Sequence, residues 1–169
     1  MKHGKILYAM VDKTCVLKLI GSIVYNLSPD FDRFLQKITH DEDINSFVVD
    51  LTETSYIDST NLGLLAKLHE FSEEQSLVTP TLISNRENIN EVLFNVGFSN
   101  IFNIIDCVDT NCTGLNHIPQ AESSPGNLAR IVLKAHQKLA KLNGTNRELF
   151  KDVINYLEQD TRGRSYSRN

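Results

Sequence analysis

The chain has 169 residues, a net charge of −4, and hydrophobic and charged shares of 41% and 22%, enough for one ordinary domain of about 100–150 residues plus an extension. Its longest apolar runs fall far short of the ~20 residues that cross a bilayer. The basic-then-apolar start is interrupted at Asp12 and Lys13, with no small-residue cleavage site after it, so a cytoplasmic protein without membrane association is expected. Cys15, Cys107 and Cys112 are an odd and sparse set, which argues against a disulfide scaffold. With His117 the latter two fall one ligand short of a structural zinc site, and no metal or other cofactor is expected. Residues 1–110 carry 8 Lys and Arg against 16 Asp and Glu, and residues 111–169 carry 9 against 5. An acidic body with a basic end favours docking to proteins over nucleic acid.

Lys5 to Val11 and Thr14 to Gly21 read as two strands around an Asp12-Lys13 turn, with Cys15, Leu17 and Leu19 on one face. Ser28-Pro29-Asp30 reads as a helix start with Ser28 as N-cap and Asp30 and Asp32 near the positive end of the dipole. Phe47 to Leu51 is a short central strand, followed by a helix from about Thr60 to Phe71. Gly63 is expected to let that helix pack closely on the sheet. Leu77 to Ile83 is a strand marked as edge, bulge or end by Pro80. Arg86 to Val96 is a helix with Ile89, Val92, Leu93 and Val96 on one stripe and Gly97 as a left-handed cap. Phe102 to Ile105 is the last strand. The order ββαβαβαβ gives an α/β fold, a mixed β-sheet with packed helices.

Residues 109–124 are polar and read as a linker. A C-terminal α-helical hairpin follows over 125–160, then a disordered tail over 161–169. The first hairpin helix carries Leu128, Ile131, Ala135 and Leu142 on one stripe, and Asn143-Gly144 ends it. Thr145 and Glu148 form a capping box for the second, whose stripe is Leu149, Phe150, Val153, Ile154 and Leu157. Each greasy face must bury itself on the first domain, on a second copy as a homodimer, or on a partner.

No catalytic constellation stands out: there is no phosphate-cradling glycine loop, no nucleophile elbow and no His-x-x-x-His pair. The five histidines are scattered, and His69 and His136 read as surface or half-buried helix residues. The distinctive segment runs from Val48 to Leu65, where a buried strand leads through Asp58-Ser59-Thr60 into a helix. Taken alone, Asp-Ser-Thr is an N-cap whose short side chains accept from the first amides of the helix.

In context, strand, Asp58-Ser59-Thr60-Asn61-Leu62-Gly63 turn and apolar helix, followed by Asn88 to Gly97-Phe98-Ser99-Asn100-Ile101-Phe102, resembles the STAS family of anti-sigma-factor antagonists over residues 4–107. The resemblance implies a non-enzymatic regulator in which Ser59, rather than Thr60, is the phosphoacceptor. It implies an anti-sigma factor or serine kinase of histidine-kinase fold as partner, and a PP2C-like phosphatase to reverse the modification. Asp58, Ser59, Thr60 and Asn61 are then partner-binding, and Phe94, nearly opposite the buried stripe of its helix, is a further exposed candidate. Asn61 stands where many members have Gly, and Asn tolerates a tight or left-handed turn. The hairpin, with Ala135-His136-Gln137 and Asn146-Arg147-Glu148, looks like the extension of a subgroup, implying a phosphatase carried on a response regulator. Two other readings stand beside it: a scaffold subunit of a sensory or lipid-transport assembly, in which Asp58-Ser59-Thr60 acts only as a cap, and a small-molecule-binding module.

Overall fold

The computed structural model describes residues 3–106 and 112–166. Lys5–Val11 (β1) and Thr14–Ile23 (β2) form an antiparallel hairpin. Asp12 in its turn takes a φ of 53°, a left-handed conformation that short Asp side chains tolerate. Along β2, Cys15, Leu17, Leu19 and Ile23 are buried and alternate with half-buried neighbours, as one covered face requires. Ser46–Ile57 (β3), Thr81–Ile83 (β4) and Asn103–Ile105 (β5) extend the sheet in parallel from β2.

A two-residue strand, Asn116–His117 (β6), closes the other edge antiparallel to β1. It lies in the stretch expected as plain linker. Both residues are exposed, so main-chain pairing alone makes this strand and no apolar alternation announces it. The strand expected from Leu77 is shorter: Pro80, expected to mark an edge, bulge or strand end, stands just before β4, because it has no N–H for the ladder; its carbonyl accepts from Asn103 N at 3.0 Å.

Ser28–Ile38 (α1), Ser59–Glu74 (α2) and Glu87–Asn95 (α3) connect the parallel strands. Ser28 is not the N-cap of α1. A 3-10 turn over Tyr25–Leu27 runs straight into the helix, Leu27 occupies the cap, and the Ser28 hydroxyl donates back to the Tyr25 carbonyl. Asp30 accepts from Ala121 N at 2.7 Å and Asp32 pairs with Lys67 of α2, so both carboxylates are engaged within the chain. Gly97 ends α3 at a φ of 81°, as its position predicts.

The C-terminal hairpin consists of Pro125–Leu142 (α4) and Gly144–Tyr166 (α5). The Thr145–Glu148 capping box does not form. Asn143, in extended conformation, already caps α5, its Oδ1 accepting from Asn146 N at 2.8 Å, so the helix begins before Thr145 can act as a cap. Helix α5 also continues past residue 161, where a disordered tail was expected. A hydrogen bond from Thr161 Oγ1 to the Leu157 carbonyl (2.7 Å) and an Arg164–Asp160 pair (3.0 Å) support those turns.

The hairpin docks on its own chain. Ile131, Leu139 and Phe150 join one continuous core with Leu17, Leu19, Phe31, Val49, Leu62 and Leu65. The expected α5 stripe splits, because α5 packs chiefly on α4 and lies outermost. Phe150 is buried, Ile154 and Leu157 are half-buried, and Leu149 and Val153 are exposed.

Candidate functional site

Strand β3 delivers the Asp58–Asn61 turn. Between the Lys18–Asp50 and Ile23–Ile57 pairs, β3 carries two more residues than β2, and Gly21, with a φ of 76°, sits at one of the two register shifts. Such bulges bend a strand and re-aim the residues beyond them. The strand is still pinned at its end, with Asp58 N donating to the Ile23 carbonyl at 3.0 Å.

Asp58 is the N-cap of α2. Its Oδ1 accepts from both Asn61 N and Asn61 Nδ2, each at 2.9 Å. One carboxylate oxygen thus satisfies a main-chain amide left free by the helix start and orients the side chain beside it. Asn61 was expected to meet a partner. It is helical and 0% exposed, turned inward onto Asp58. Thr60 is 4% exposed. Neither presents a surface to a partner in this arrangement.

Ser59 is the first residue of α2, at the end where unpaired amides and the helix dipole favour negative charge. Its hydroxyl is not free. Oγ lies 2.8 Å from Nε2 of His136 on α4, 77 residues along the chain. His136 Nδ1 lies 2.7 Å from the Val132 carbonyl, and a carbonyl only accepts, so Nδ1 carries the proton. In the neutral ring Nε2 is then the acceptor, and Ser59 O–H donates to it. The imidazole is 6% exposed and meets the Phe150 ring edge-on at 5.5 Å. A serine on a neutral imidazole is half of a nucleophilic dyad. Here, however, the ring is oriented by a main-chain carbonyl, and the imidazole is buried while Ser59 is half-buried.

Gly63, one turn further along α2, brings the two helices together. A β-carbon there would lie 2.3 Å from the Ala135 carbonyl oxygen and 2.7 Å from its Cα. The glycine therefore serves the approach of α4, not the packing on the sheet that its position predicted. A Lys138–Glu70 ion pair bridges the same two helices further on. At the hairpin joint, Asn146 Nδ2 donates to the carbonyls of Val96 (3.0 Å) and Leu139 (2.9 Å), which ties the end of α3 to the hairpin.

Phe94 is 71% exposed near the end of α3, on a different element from the Asp58–Asn61 turn. Among the described residues, no group of three or more His, Cys, Asp or Glu could hold a metal, and no helix is long and apolar enough to cross a membrane. Cys107 lies outside the described residues.

A STAS domain model matches residues 5–111, which hold β1–β5 and α1–α3 without β6 or the hairpin. The chain belongs to the STAS family. Solved structures similar to it include a Bacillus cell-fate determinant, SpoIIAA in its phosphorylated form, at 14% identity and a TM-score of 0.53, covering 62% of this chain and 92% of that one. An anti-sigma factor antagonist from Mycobacterium paratuberculosis matches at 17% identity and TM-score 0.53, covering 63% and 89%. One described as a putative anti-sigma factor antagonist, from Thermotoga maritima, matches at 20% and TM-score 0.54, covering 60% and 86%. At these identities the likeness is one of fold. No curated protein sequence matches the chain. The STAS assignment accounts for the ββαβαβαβ order and for the strand–turn–helix at Asp58–Ser59.

Proposed function

We propose that this STAS protein is an anti-sigma factor antagonist that works by phosphorylation-controlled partner switching, with Ser59 as the phosphoacceptor. One observation carries the reading: the hydroxyl directly after the Asp58 N-cap stands at the first position of α2. There the free amides and the dipole accept an added phosphate without loss of the fold. A phosphoryl group adds about −1.5 to −2 charges at pH 7, beside the carboxylate of Asp58. The unphosphorylated face binds an anti-sigma factor or a related kinase of histidine-kinase fold, and the modified face repels it. The protein is a cytoplasmic, non-enzymatic regulator in this account. A PP2C-like phosphatase, carried on a response regulator, resets it.

The test is capture from the native cell with wild type, Ser59→Ala and Ser59→Asp as bait. The account expects Ser59→Ala to retain the partner and Ser59→Asp to lose it while remaining folded. Equal capture by all three forms refutes switching and leaves Asp58-Ser59-Thr60 as a cap alone.

A further inference from the structure

We infer that the C-terminal hairpin is an intramolecular cap on the Ser59 face, held shut through His136 and Gly63, which must leave before that face can be phosphorylated or bound. The inference rests on Ser59 being the working residue and adds how access to it is controlled.

Two observations converge. The first is that the Ser59 hydroxyl already donates to His136 Nε2. A phosphoryl donor needs the same oxygen free and aligned for in-line transfer, and in the closed chain that oxygen, on a half-buried residue, is engaged by α4. The second is the helix crossing. Gly63 lets the backbone of Ala135 approach to a distance that no β-carbon survives, so the cap seats against the helix that carries the phosphoacceptor.

The matched STAS region ends at residue 111, so the cap is an addition to that unit, on whose core Ile131, Leu139 and Phe150 close. Closed hairpin and phosphorylated Ser59 then exclude each other. By linkage, whatever favours release favours modification, and modification holds the hairpin off.

The test uses the full chain and two variants. Gly63→Ala pushes α4 away without altering Ser59 or the hairpin, and His136→Ala removes the latch together with its ring contact to Phe150. Amide hydrogen exchange read by mass spectrometry is expected to rise about tenfold or more across α4 and α5 in both variants, with β1–β3 as protected as in wild type, the pattern of a locally opening unit. Exchange that rises equally in sheet and hairpin in His136→Ala, or that does not change in either variant, overturns the cap. If Gly63→Ala disturbs the whole fold, His136→Ala decides alone. In the native cell, Ser59 phosphopeptide occupancy is expected to be several-fold higher in both variants than in wild type. Equal occupancy also overturns the cap. Absence of phosphate at Ser59 in all three forms refutes the switching function instead, and hydrogen exchange still decides whether the hairpin opens.

Discussion

The hydroxyl of Ser59 donates to Nε2 of His136 across 2.8 Å, joining the first turn of α2 to the middle of α4. The Val132 carbonyl fixes the imidazole tautomer, so this bond has one direction as long as the ring is neutral. His136→Ala deletes the acceptor and the ring contact with Phe150. We expect about 2–3 kcal/mol of lost stability in urea unfolding, from a buried hydrogen bond and lost ring packing together. His136→Gln, which keeps an acceptor, is expected to lose less.

Gly63→Ala separates two opposed effects. Helix propensity alone favours alanine by about 1 kcal/mol. The 2.3 Å approach of Ala135 opposes it, and overpacking of that kind costs roughly 1–3 kcal/mol. We expect net destabilisation in a thermal or urea melt. A net gain in stability is the result that shows α4 to be seated elsewhere.

Asp58→Ala removes the cap of α2. Loss of such a cap costs about 0.5–2 kcal/mol, and here the Asn61 side chain loses its partner as well. The expected loss is therefore at the upper end of that range. Asp58→Asn keeps an acceptor oxygen, and a denaturation series is expected to place it between wild type and Asp58→Ala.

Cys15 lies in the buried face of β2, where burial pushes its thiol up to about 12 from 9.0. A raised pKa in the folded state means that the folded chain keeps a proton the unfolded chain gives up. The stability linked to Cys15 is fully present below pH 9.0 and is lost as pH rises toward 12. Iodoacetamide at pH 8 is expected to leave Cys15 unmodified in the native protein and to modify it in urea. Cys15→Ala is expected to flatten the fall in stability across that alkaline window.

The order of strands and helices along the chain up to β5 and the Asp58 cap were legible because each rests on a local pattern: alternation in β2, apolar spacing in α3, a short polar residue before α2. Gly97 was legible because its φ of 81° is a local demand of the chain. The role of Gly63 was not. A glycine in a helix marks close approach, but the sequence does not say whether a strand or another helix approaches. His136 was passed over for a related reason. Its neighbours Ile131, Ala135 and Leu139 signal a buried face, yet the partner that makes a buried histidine tolerable lies 77 residues away. Asn61 misled because the comparison with glycine pointed to backbone conformation, whereas its side chain is spent on Asp58.

The most direct measurement is phosphopeptide mapping of the protein from its native cell, beside a Ser59→Ala chain expressed there in its place. The account predicts phosphate on Ser59 in the first and none on the turn in the second. Phosphate mapped to another residue, with Ser59→Ala labelled as strongly as wild type, contradicts it.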